Sequence, residues 1–224
     1  MPLTNYGEPY MLQALFGGVT SALPTPTSGS WYIGLIKAKG VWTASTSYAQ
    51  GDIIIPTDFV GTNKIFVCNV AGTSGSSQPT WVSTGEISDG ATVKWVDVSV
   101  AVTTSWATTN GKSYFYTSAN ILTSNEVSGT SYARQGLTNS QSAGTWVQPT
   151  TPATAAPAST NWGTAVNFPS SGGSWGYVVG FFLSNVSSGG TAYAWNTLSN
   201  YVPILVSGMT LTLPSSTGIT VTLS

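Results

Sequence analysis

Apolar positions along this chain recur mostly at every second residue, the period of a strand. Gly176-Tyr-Val-Val-Gly-Phe-Phe-Leu183 is the strongest apolar run and reads as a buried strand, as does Trp31-Tyr-Ile-Gly-Leu-Ile36. Ser187-Ser-Gly-Gly190 turns the first of these back into Thr191-Ala-Tyr-Ala-Trp195. The tail alternates through Val202, Ile204 and Val206, then Met209, Leu211 and Leu213, then Ile219, Val221 and Leu223. Helical spacing occurs once. Asn5 and Glu8 stand at capping-box spacing, Pro9 suits a first turn, and Tyr10, Met11, Leu12, Leu15 and Phe16 give an apolar face that Gly17-Gly18 ends. Residues 19–30 read as a loop, and 136–165, rich in Pro, Thr and Ala, as a long loop or arm.

Residues 39–98 have a different texture. Short strands such as Ile53-Ile-Ile55, Ile65-Phe-Val-Cys68 and Val93-Lys-Trp95 alternate with the turn signals Gly51-Asp52, Gly72-Thr-Ser-Gly75 and Asp89-Gly90. This predicts a compact β module near the lower size limit for independent folding. The expected fold is therefore mainly β: an antiparallel, sandwich-like core with one short N-terminal helix and a small inserted β module. Residues 1–38 and 99–224 would form the discontinuous core and 39–98 the insert.

Composition narrows the chemistry. The chain has no His, so a Ser-His-Asp triad, a Cys-His pair and an imidazole metal site are all excluded. Cys68 is the single cysteine and sits in an alternating strand, where a small buried apolar residue is expected. The seven carboxylates lie mostly beside Gly or at turns, which predicts no enzyme, no cofactor and no metal. The six basic residues are scattered and the net charge is −1, so nucleic acid is not an expected partner. No apolar run nears the roughly 20 residues that span a bilayer, so no membrane partner is expected. The first residues lack a signal-peptide pattern, which predicts a protein retained in the cell that makes it.

Only 6% of residues are charged, so Glu126 and Arg134, eight positions apart in Glu126-Val-Ser-Gly-Thr-Ser-Tyr-Ala-Arg-Gln135, stand out. Gly129 reads as a turn residue free to take positive φ, and the two charges as a structural ion pair closing a hairpin.

This stretch, with Leu3-Thr-Asn-Tyr-Gly-Glu8, Tyr32-Ile-Gly-Leu35, Phe168-Pro169, Trp175-Gly176, Gly189-Gly190 and the closing Thr-Val-Thr-Leu strand, resembles a family of tailed-bacteriophage virion proteins. The likeness covers roughly 1–38 and 100–224, and such proteins are labelled head-decoration or tail-fibre-like. It implies a virion location after assembly in the host cytoplasm, other virion proteins (major capsid or tail proteins) as partners, and a homotrimer. Within 39–98, Trp42, Tyr48, Gly51-Asp52 and Phe66 are similar to small carbohydrate-binding modules, although Cys68-Asn-Val-Ala-Gly72 stands where a tandem aromatic platform is expected.

Two functions follow from the likeness. One is a structural protein that decorates or cements the particle. The other is a fibre or spike adhesin touching host cell-surface glycans. Trp81, Tyr48 and Trp42 are the candidate glycan or subunit contacts, read alternatively as core. Trp81, after Pro79 and a Gly/Ser loop, is the ring expected to be exposed.

Overall fold

A computed structural model describes residues 30–59, 64–82, 85–97, 125–138, 158–161, 165–169, 171–214 and 220–223. The helix expected near Asn5–Gly18 lies outside the described residues. Strands β1 (Ser30–Ala38), β2 (Gly40–Val41), β3 (Ser47–Tyr48), β4 (Ile53–Ile55) and β5 (Phe66–Val70) come first. Next are β6 (Gly72–Thr73), β7 (Ile87–Asp89), β8 (Val93–Asp97), β9 (Gln135–Thr138) and β10 (Ala158–Asn161). Last are β11 (Val166–Phe168), β12 (Gly176–Ser184), β13 (Ala192–Ile204), β14 (Leu211–Leu213) and β15 (Thr220–Leu223). The protein is mainly β and its sheets are largely antiparallel.

The central sheet has the order β13-β12-β1-β9, antiparallel throughout. Both faces of its two inner strands are buried, which is why their sequences carry so few polar positions. Ile33, Leu35, Val178, Phe181 and Leu183 pack into a cluster with Val166, Phe168, Leu211 and Leu213 from the β11–β14 ribbon. Ile36, Ala38, Val179 and Phe182 pack into a second cluster, with Ile53, Ile55, Val67 and Val96. Those last four belong to a second sheet, of order β2-β4-β5-β8-β7, with β2 and β4 parallel and the other pairs antiparallel. Its far face carries Ile54, Phe66, Cys68 and Trp95 under Trp42, Tyr48 and Trp81. Successive residues of Ile53-Ile-Ile55 therefore serve two different cores.

The chain leaves the central sheet after Ala38 and rejoins it beside the same strand. Glu126 bridges Ile36, and Val127 N donates to Leu35 O at 3.0 Å. Asn125 Nδ2 donates to Gly51 O at 3.0 Å, tying the return point to the second sheet. Phe182 lies directly over Gly34, where an added Cβ would stand 2.3 Å from the ring. That glycine is required by the close approach of the ring.

Cys68 is fully buried in β5. Burial first, then the negative charge of Asp52, pushes its thiol up to about 12 from the ordinary 9.0. Unfolding would release the thiol to ionise normally, so this contribution to stability is intact below pH 9 and is lost as the pH rises toward 12. Iodoacetamide at pH 8 is expected to leave the native protein unmodified and to alkylate it only in denaturant; rapid labelling of the folded chain would contradict this.

Candidate functional site

Residues 126–138 run antiparallel beside β1, but the ladder is interrupted between the Ile36–Glu126 bridge and the Ile33–Gln135 pair. Side chains fill the gap. Leu35 N donates to the Tyr132 hydroxyl at 2.9 Å, and that hydroxyl lies 3.2 Å from Glu126 Oε1. Arg134 meets Glu126 as a two-pronged fork, Nε to Oε1 at 2.7 Å and Nη2 to Oε2 at 2.8 Å. Its Nη1 faces Ser184 Oγ at 3.1 Å, Val186 O at 2.9 Å and Gly189 O at 2.8 Å, while the guanidinium carbon sits 4.9 Å from the Phe182 ring centroid. The Arg134 side chain is 1% exposed and that of Glu126 18%. Burial, reinforced by the Glu126 charge, raises the Tyr132 hydroxyl pKa.

Every nitrogen of the guanidinium is engaged, so the cluster holds the turn after β12 against the loop 128–134. The turn itself differs from the expectation. Ser131 takes the positive φ, at 68°, whereas Gly129 is needed because a Cβ there would come 2.9 Å from Trp175 Cδ1. Trp175 Nε1 in turn donates to Thr130 O at 3.1 Å.

The aromatic residues of the second sheet gather round a buried carboxylate. Trp42 Nε1 and Trp95 Nε1 each donate to Asp89 Oδ2 at 2.8 Å, and Gly75 N donates to Asp89 Oδ1 at 2.7 Å. Tyr48 stands edge-on to Trp95 at 4.9 Å, and its hydroxyl accepts from Thr43 N at 2.9 Å. Trp81 packs on Phe66 at 4.5 Å and on Trp95 at 6.1 Å.

The expectation of an exposed Trp81 is therefore corrected: Trp81 and Trp42 are each 8% exposed and Tyr48 is 3%. These rings form a core in which Trp42 turns its polar edge inward to Asp89 and Tyr48 to local backbone. Only the Asp-Gly turn signalled Asp89 in the sequence. Asp89→Asn replaces one of the two acceptor oxygens by an NH2, which then faces either the two indole N–H groups or the Gly75 N–H. It is expected to cost about 1–3 kcal/mol, read as a lower melting temperature with shifted indole N–H resonances. An unchanged melting temperature would show that the carboxylate does not organise these rings.

Open space at the surface occurs on the seam between the two sheets. Two adjoining clefts, of about 380 and 420 Å³, share Lys39 in their walls. One is lined by Lys37, Asp52, Ser128, Ser174 and Trp175, and the other by Gly40, Val41, Thr43, Thr46, Tyr48 and Tyr177. Lys39 Nζ contacts Asp52 Oδ2 at 2.6 Å and Ser47 O at 3.2 Å, and stands 5.0 Å from the Tyr48 ring centroid. Lys37 Nζ donates to Ser128 Oγ at 2.9 Å. The half-buried Tyr177 ring is braced edge-on by Tyr201 at 5.8 Å. Of the predicted contacts only Tyr48 reaches this groove. Its other residues combine the segment 37–52 with Ser128 and the segment 174–177, and carried no local signal.

Among the described residues no three of Cys, Asp and Glu gather where they could hold a metal ion. None of the described helices is long and apolar enough to cross a membrane. Residues 115–217 match the family described as podophage GP4 fiber I protein gp80. The matched stretch contains the Glu126–Arg134 cluster and strands β9 to β14. It does not include β1, the second sheet or β15, so it bears on only one of the two regions carrying the virion-protein resemblance and not on the carbohydrate-module likeness. The match supports a phage virion protein of fibre type. No curated protein matches the chain.

Proposed function

We propose that this chain is a non-catalytic structural protein of a tailed-phage particle, decorating the particle surface as a head fibre and assembling there as a homotrimer. The carrying observation is the match over residues 115–217, the region whose strands build most of the central sheet. In this reading residues 39–98 are an insertion between β1 and Glu126, projecting outward from a core that holds the neighbouring virion proteins. The close approach of the two junctions, at Ile36 and Glu126, fits an insertion. The paired ribbons β10–β15 and β11–β14 bring the chain's late strands together, and low surface charge favours packing against copies of the same surface.

Gold-labelled antibody against an exposed loop of 40–97 is expected to mark purified particles at the head surface, and sedimentation of the purified protein to give three copies. Absence from particles would overturn the virion role. Label confined to the tail tip would replace decoration by an adhesin role, a second reading favoured by the seam groove.

A further inference from the structure

We infer that the seam groove between the central sheet and the second sheet binds an acidic saccharide. For its biological setting this rests on the adhesin form of the function proposed above, but its chemistry is carried by the groove alone. A sugar needs a ring face on which its C–H surface can lie, flanked by donors and acceptors for its hydroxyls. The half-buried Tyr177, braced by Tyr201, supplies the ring face. Thr43, Ser128 and Ser174, all exposed, and the Lys39–Asp52 pair supply the polar groups.

The charge of the site is what selects an acid. Asp52 offsets Lys39, but no carboxylate lies within ion-pair distance of Lys37 among the described residues. Lys37 Nζ is held by Ser128 Oγ in one cleft and Tyr177 lines the other, with Lys39 shared between them, so among the described residues the groove keeps one positive charge with no carboxylate partner, a cleft away from its ring. A neutral sugar would leave that charge unmatched, whereas a uronate carboxylate would meet it. Two walls of the groove come from different sheets, with Gly40, Thr43 and Asp52 on one side and Ser174 and Tyr177 on the other. The site therefore exists only where residues 40–97 are docked.

The test uses the full-length purified protein, with trigalacturonate as probe and its methyl ester as the uncharged control, read by calorimetry and saturation-transfer NMR. The acid is expected to bind about two- to fivefold tighter than the ester, and Lys37→Gln to remove that difference, the scale of one exposed charge pair. Gly40→Trp should abolish binding of both probes. A Cβ at Gly40 meets nothing within 4 Å, so a side chain can start there without a clash and its indole is aimed at blocking the groove, with the melting temperature as the check on folding. Should that variant not fold, Thr43→Trp at an exposed lining position blocks the same space. Failure of both probes to bind at millimolar concentration would overturn the site. Equal affinity for acid and ester would overturn its acidic specificity, and binding that survives both blocking variants would overturn its location. None of these results depends on where the protein sits in a particle, so the virion role stands or falls separately.

Discussion

Arg134→Ala is expected to destabilise the protein by about 3–5 kcal/mol. The substitution removes the fork on Glu126 and, among the described residues, leaves that mostly buried carboxylate with the Tyr132 hydroxyl alone. It also removes a donor from Ser184 Oγ and from the carbonyls of Val186 and Gly189, and uncovers the Phe182 ring. Lysine cannot repair this, since a single ammonium lacks the planar array that reaches Glu126 and the turn after β12 together. Arg134→Lys should therefore recover only a small part of the loss. The double variant Glu126→Leu/Arg134→Met, which leaves no unpaired charge, should be more stable than Arg134→Ala. Urea unfolding of the four proteins measures the order. An Arg134→Ala midpoint close to that of the parent would mean that the pair is a surface ornament, despite its burial.

Trp81→Ala is expected to cost about 3–5 kcal/mol as well, by opening a cavity between Phe66 and Trp95. Trp81→Phe should be far milder. Trp81 Nε1 is buried and has no hydrogen-bond partner among the described residues, so losing it orphans no acceptor there and relieves an unmatched donor. Thermal unfolding separates the two. A small shift for Trp81→Ala would restore an exposed role for this ring, and an equal collapse in both variants would show that the indole nitrogen has a partner.

The exposure expected at Trp81 failed for a definable reason. It rests on residues 39–98 being a compact module by themselves, with Pro79 and a Gly/Ser loop setting Trp81 at a turn. In the folded chain the second sheet has two buried faces. Ile53, Ile55, Val67 and Val96 turn toward the central sheet, which leaves the whole opposite face to the rings and Asp89. The same docking means that excising 40–97 would strip the cover from Phe182 and Trp195, and the remainder is expected to aggregate unless those positions are made polar.

Local pattern by itself determined the strand character of the chain, because alternation and uninterrupted apolar runs are properties of neighbouring residues. It placed β1 and β12 nearly to their ends and singled out Glu126 and Arg134, since charges are so scarce that two of them close together in a β-rich segment call for a buried fork. The tail was legible as alternation, but the thirteen-residue span of β13 was not, because its irregular stretch at Leu198–Tyr201 leaves the register of β12 and projects Tyr201 onto Tyr177. Only the tertiary structure decided which face of each strand meets which partner. Alternation tells that a residue points up or down and never what lies above or below it. The seam groove follows the same rule. Residues 37–52 meet Ser128 and the 174–177 segment in its two clefts only because the two sheets pack face to face, and that packing depends on the summed burial between them rather than on any short motif.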